Sequence, residues 1–336
     1  MNIIRKIRNA AYIPLVLILT SCGARGVSAP DRLDNIDYSP QPVERLHTYF
    51  FENGDVRADS AVVSTFLNVV GAPDETSWRH SAAVAVFTPS ADSVFHDVSA
   101  LENSIGHILA ASEAYGLSLP RRKYATVVYG RTESIMFADA STGDASRQDS
   151  VMFIALNHYL GADYPGYSHW PAYVRAVKTP DNLPYDIAEA LVATAYPFVG
   201  SGGTPLVSRL LYEGVLVEAR MRLVENPDEA LALGYDNNTL SWLRDNERAI
   251  WETIVSKNMV YDTSLTLQER LVAPSPSTAQ LLVADSPGRI GRYIGYRIVR
   301  AYLEKNPETA FSRLLSPEFY ASPQDVLSDS QYNPGK

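Results

Sequence analysis

Apolar positions along this chain recur with two periods, and the change between them divides it. Over residues 44–70, Leu46, Phe50, Val62, Phe66, Leu67 and Val70 recur at helical spacing, which predicts a helix. A second helix is predicted over 92–115, with Leu101, Ile105, Ile108 and Leu109 on one face. The period then shortens. Residues 123–129, 133–138 and 150–156 are short, apolar and partly β-branched, with Gly/Asp/Ser/Thr-rich loops between them. They predict three strands of one small sheet. Helical spacing returns after Asn157, predicting helices over 183–195, 205–224, 240–260 and 288–304, and a short one before Pro323. The fold class that follows is α+β and predominantly helical, a small sheet flanked by helices in a single domain. No internal repeat or low-complexity tract breaks the order.

The first two dozen residues follow neither period. Arg5, Lys6 and Arg8 precede an apolar run from Ala10 to Leu19, which ends in Leu19-Thr20-Ser21-Cys22. A basic start, a short apolar core and a small-residue cleavage site are the parts of a secretory signal. The run is shorter than the ~20 apolar residues a membrane-crossing helix needs. The tetrapeptide resembles a lipobox, with cleavage before Cys22 and acylation of its sulfur. Cys22 is the single cysteine of the chain, so no disulfide can form. Each buried methylene of an acyl chain contributes about 0.8 kcal/mol, and the three chains that the lipobox resemblance implies would anchor the protein durably. Gly23 in place of an aspartate argues against inner-membrane retention, and no acidic run follows the cysteine. The expected location is the periplasmic face of the outer membrane. Residues 1–21 are thus read as signal peptide, 22–43 as lipidated cysteine and flexible tether rich in Pro, Gly and Ser, and 44–336 as the folded domain.

Loss of the three signal-peptide cations moves the formal charge from −9 to −12. That balance excludes a phosphate-neutralising basic surface, so nucleic acid is not an expected partner.

Candidate chemistry lies in four places. The stretch 156–173 is dense in aromatics and carries His158, Asp163 and His169. Aromatic faces with polar neighbours suit ligand or peptide binding, and equally suit capping a sheet. The two histidines and Asp163 are metal ligands by type but match no zinc spacing. In Pro184-Tyr-Asp-Ile-Ala-Glu-Ala190, Asp186 and Glu189 stand three apart and share one helix face. Asp186 also suits the first turn, where the helix dipole favours an anion. Leu211-Tyr-Glu-Gly214 places Glu213 in an apolar stretch, where a carboxylate needs an arginine partner or a ligand. Glycines 288, 291 and 295 lack the Gly-Lys-Ser/Thr ending of a phosphate loop and instead allow two helices to approach closely.

In this order, Ala155-Leu-Asn-His-Tyr-Leu-Gly-Ala-Asp-Tyr164, Leu210-Leu-Tyr-Glu-Gly214, Trp242-x₃-Asn246-Glu-x₃-Trp251 and the run Pro287–Tyr302 resemble the gliding-motility lipoprotein GldB family. That resemblance implies envelope protein partners in gliding or type IX secretion. The family in turn looks like a remote relative of gluzincin-type zinc peptidases. On that likeness the fold is a degenerate zincin-like domain, residues 151–156 are the substrate-binding edge strand, and Glu213 stands for the glutamate ligand. The active-site helix is then 183–195, where Asp186-Ile-Ala-Glu-Ala190 replaces His-Glu-x-x-His. Neither histidine ligand is present and Ile187 holds the general-base position, so zinc cannot be held or its water activated by this route. The expectation is a non-enzymatic binding protein without metal or cofactor, its candidate cleft formed by His158, Asp163, Asp186, Glu189 and Glu213. Two alternatives stand beside it: a metal-dependent hydrolase built on His158, Asp163 and Glu213, and a periplasmic glycan- or peptide-binding lipoprotein using the aromatic loop.

Overall fold

The three apolar segments between residues 122 and 155 pair with one another and with a fourth, shorter strand. The computed structural model describes residues 36–51, 56–141 and 148–334, so the signal, Cys22 and the first part of the tether lie outside the described residues. Strands β1 (Val43–Arg45), β2 (Arg122–Val127), β3 (Ile135–Ser141) and β4 (Gln148–Ala155) form one sheet in the order β1-β2-β4-β3. β1 and β2 run parallel, as do β2 and β4, and β3 closes the sheet antiparallel to β4. Val151 to Ala155 are fully buried, as a strand covered on both faces requires. This corrects the expectation that 151–156 is an edge strand. β4 has a partner on each side, and the open edge beside it is β3.

The helix predicted over 44–70 is instead a strand and two helices. Val43–Arg45 pairs with Tyr124–Thr126, and α1 (Leu46–Phe51) follows directly. Helix α2 (Ser60–Val70) starts afresh because the Asp59 carboxylate accepts from the Ala61 N–H at 2.8 Å. Two helices absent from the sequence reading come next, α3 (Glu75–Arg79) and α4 (Ala82–Val94). The helix predicted over 92–115 is α5 (Ser99–Ala114), set off from α4 by Asp97, whose side chain accepts from the Ser99 N–H. Residues 38–43, read as tether, belong to the fold. Gln41 N–H donates to the Glu102 carbonyl at 3.0 Å, Val43 N–H to the Glu102 carboxylate at 3.1 Å, and the Ser39 carbonyl rests on Gly106.

After the sheet come α6 (Ala172–Arg175), α7 (Leu183–Ala195), α8 (Leu206–Leu223), α9 (Glu229–Leu233), α10 (Asn237–Ser256), α11 (Leu265–Val272), α12 (Ile290–Lys305), α13 (Phe311–Leu314), α14 (Pro317–Ala321) and α15 (Pro323–Ser330). The 183–195 prediction matches α7 at both ends. Helix α8 is the axis of this half: 15 of its 18 residues are buried, on every face. A helix buried all round is a core element, and three of its buried residues, Glu213, Glu218 and Arg220, are charged. Helix α12 crosses α8 backbone to backbone. A Cβ on Gly214 would lie 2.5 Å from the Tyr296 nitrogen, and one on Gly291 would lie 2.9 Å from the Leu271 carbonyl oxygen. Gly291 and Gly295 therefore serve helix contact, as their spacing suggests, whereas Gly288 precedes α12 and rests on Ser275 in a loop. Among the described residues no helix is long and apolar enough to cross a membrane.

Candidate functional site

The two carboxylates of α7 project to the same side because they stand three residues apart on a helix. Leu183-Pro184 opens α7 and Asp186 lies in its first turn. Both Asp186 and Glu189 line a cavity of about 830 Å³, with Ala190 and Ala193 from the same helix face. Glu133, Ser134 and Ile135, at the start of β3, form part of its wall, and Tyr235, Gly288 and Arg289 another.

Each carboxylate is met by arginine. Arg220 of α8 places Nη2 2.7 Å from Asp186 and Nε 2.5 Å from Glu189. Arg292 of α12 grips Glu189 with two nitrogens, at 3.0 and 2.6 Å, the planar fork geometry that suits a carboxylate. The Tyr159 hydroxyl donates to the second Asp186 oxygen at 2.9 Å. Glu213 sits behind this layer, outside the cavity wall. It pairs with Arg209 one turn back at 2.7 Å and lies 3.8 Å from Arg292. Burial alone would raise the Glu189 pKa, but Arg220 and Arg292 outweigh it and hold the carboxyl well below its usual range. The same pairing raises Arg292 against the effect of its own burial.

His158 lies in a one-turn 3₁₀ segment, Leu156–His158, just after β4. It is buried, and its Nε2 donates to the Arg131 carbonyl at 3.0 Å, which leaves Nδ1 to accept from the Lys178 ammonium at 3.3 Å. Lys178 lines the cavity; His158 stands one residue behind it. The aromatic loop packs on itself. Tyr167 stacks on Trp170 with ring centres 4.8 Å apart, Trp170 stacks on His158 at 5.7 Å, and the Tyr167 hydroxyl donates to the Asn157 carbonyl. These rings cap the end of β4. Asp163 is exposed in that loop and is outside the cavity wall. Among the described residues no group of three or more His, Cys, Asp or Glu is placed to hold a metal, and His158, Asp163 and Glu213 are not brought together.

Three cations of the cavity wall, Lys178, Arg220 and Arg289, and Arg292 outside it have no counterpart in the sequence analysis. Arg292 lies inside the 287–302 run, whose glycine spacing is its strongest pattern. Arg220 stands seven residues after Glu213, two turns along one helix face, which was a readable signal. Arg289 had none. It precedes α12 with φ of 61°, a left-handed conformation no pattern in the sequence announces.

Burial lowers the pKa of His158 from 6.5 to about 4, helped by Lys178, and burial lowers that of His47 to about 4, helped by Arg45. Both imidazoles stay neutral in the fold while the unfolded chain takes up protons below pH 6.5. Stability is therefore complete above that pH and falls as pH drops toward 4, by about 3 kcal/mol per histidine at the low end. Urea midpoints measured at pH 7 and 4.5 check this. His158→Asn is expected to flatten the slope, and an unchanged slope would mean that His158 titrates normally.

Fold and site together define a helical α+β protein around a cleft of paired charges. The family model described as gliding motility protein GldB matches residues 62–334, and the chain belongs to that family. Membership associates it with gliding motility and with lipoproteins of the cell envelope. No curated protein and no solved structure matches the chain.

Proposed function

We propose that this chain is a non-catalytic lipoprotein of the outer membrane, facing the periplasm, that holds an extended peptide segment of a gliding or type IX secretion partner in its cleft. One observation carries the reading. The acidic groups that could serve as metal ligands or proton carriers, Asp186, Glu189 and Glu213, are each neutralised by arginine. Glu189, gripped by Arg220 and Arg292, is held well below the usual carboxylate range and is a poor base. The cavity beside them nonetheless stays large. Ile135, the first residue of the open-edge strand β3, lies in its wall. An edge strand carries backbone donors and acceptors without a neighbour, the usual basis for adding a peptide strand.

Ala193→Trp fills the cleft from α7 without touching the ion pairs. The variant is expected to fold, to reach the membrane, and to fail to restore colony spreading in a strain lacking the chain. Normal spreading by a folded, membrane-bound Ala193→Trp protein would remove the cleft from the function. Incubating the purified chain with a pool of peptides tests the catalytic alternative. Cleavage that disappears in Glu189→Gln would sink the non-catalytic reading. The anchor is tested separately: Cys22→Ser is expected to shift the protein from the membrane pellet to the soluble fraction, and retention in the pellet would contradict lipidation.

A further inference from the structure

Two of the cations that line the cavity, Lys178 and Arg289, are not paired with its carboxylates among the described residues. Lys178, Arg220 and Arg289 line it beside Asp186 and Glu189, and Arg292 reaches Glu189 from outside the lining. Arg220 and Arg292 are committed to those two acids. Glu133 and Asp236 also lie on the wall, but among the described residues neither is within ion-pair distance of Lys178 or Arg289, and the Asp236 carboxylate accepts from the Thr239 N–H at 2.7 Å as the N-cap of α10. That leaves Arg289 and Lys178.

The Arg289 side chain makes no hydrogen bond and no ion pair within the described residues, and its Nε is buried without a partner. A buried guanidinium with unmet donors is costly, and one kept in a fold points to a ligand. Its placement is specific. The residue holds a left-handed backbone at φ 61°, a conformation that a side-chain-bearing residue rarely adopts. Its Nη1 occupies space that a side chain at position 234 would take: a Cβ there would lie 2.9 Å away, and the residue is Gly234. Arg289 is half-buried and lines the cavity. Lys178 is held toward the same space by the neutral His158 ring, with Asp186 drawing on its charge from one side and Arg289 opposing it from the other. No carboxylate lies within ion-pair distance of the Lys178 ammonium among the described residues. Burial depresses both cations, Arg289 to about 10, as expected of charges that await a counter-charge.

Resting on the peptide-binding reading above, we propose that Arg289 and Lys178 form an anchor for a carboxylate of the bound peptide, foremost its C-terminal carboxylate. The chain would then lie with its end against Arg289 and its preceding residues along β3 and the apolar wall of Ala190 and Ala193. A guanidinium fork matches a planar carboxylate, and the ammonium adds a point charge.

The test uses the full chain, immobilised, and three pools of N-acetylated hexapeptides read by mass spectrometry. One pool has free C-termini, one is C-amidated without acidic residues, and one is C-amidated with an internal glutamate. The expected result is about tenfold enrichment of free acids over neutral amides, the scale of one charge-assisted contact. That preference is expected to vanish in Arg289→Gln and to weaken in Lys178→Gln. Enrichment of the glutamate pool instead would assign the anchor to a side-chain carboxylate and overturn the C-terminal form. Equal retention of acids and amides overturns the anchor while leaving peptide binding in place. Retention of no pool overturns both. The acid-to-amide comparison on the unsubstituted chain stands whether or not a variant folds.

Discussion

Gly295→Leu is expected to leave the chain unfolded, and Gly295→Ala is expected to cost about 3 kcal/mol or more, the upper range for overpacking a core. The reason is what the added carbon would meet. A Cβ on Gly295 would fall onto the Leu210 carbonyl, 2.6 Å from its carbon and 3.1 Å from the Gly214 nitrogen. All of these are backbone atoms of the buried helix α8. A flexible side chain could swing aside, but a helical carbonyl cannot move without breaking its own ladder. The whole of α12 would have to back away, and the ion pair from Arg292 to Glu189 would go with it. For a domain of this size, about 3 kcal/mol lowers the melting temperature by roughly 6–12 °C. Urea unfolding followed by circular dichroism checks the alanine variant. A midpoint unchanged from the parent would show that the helices do not cross at these glycines.

Arg292→Met is the second large effect, expected to cost about 3–5 kcal/mol at neutral pH, the range for removing one member of a buried pair. Arg292 is 2 % exposed and serves Glu189 through two nitrogens. Removing it leaves the Glu189 carboxylate with Arg220 alone, and Glu213 with Arg209 alone. The pH dependence separates lost charge pairing from lost packing. In the parent, the Glu189 pKa is depressed, so its contribution is present above the unfolded value near 4.5 and is lost as pH falls through the lower folded value. In the variant, burial is less opposed and the folded pKa moves up, so acid neutralises the carboxylate and relieves the fold. The stability gap between the two proteins should narrow from pH 7 to pH 4.5. A gap that stays constant would mean that packing, and not charge, dominates at Arg292.

Much of this architecture was legible in the residues. Helix α7 was readable at both ends because Pro184 marks its start and Pro197 follows its last apolar turn. The three sheet segments were readable because Val151 to Leu156 and their neighbours are short, branched and bounded by loop residues. What could not be read was pairing. β1 is three residues long, within an apolar spacing that also fits a helix, and only its neighbours Tyr124 to Thr126 make it a strand. The same lack of neighbour information made β4 look like an edge. In the site, Asp186 and Glu189 were readable as a shared helix face, and Glu213 as a buried acid in want of an arginine. Their actual partners were not, because Arg220 and Arg292 come from helices 31 and 103 residues downstream of Glu189. His158 is a ligand by residue type and instead orients Lys178, a role set by which ring nitrogen the Arg131 carbonyl claims. Arg289 was silent, since its importance lies in a backbone angle and in the space left by Gly234.

The sheet order carries a mechanical consequence. β1 is the first strand of the fold and occupies the outer edge, while β3, which borders the cleft, is the outer edge on the other side. Three strand spacings, roughly 14 Å, separate them. A pull arriving from the N-terminal side is taken first by the three-residue pairing of Val43–Arg45 with β2 and by the contacts of residues 38–43 with α5. That pairing can peel away before β4 or β3 bears any load. Tension along the leading segment is thus spent at one rim of the sheet, and the cleft at the opposite rim keeps its shape.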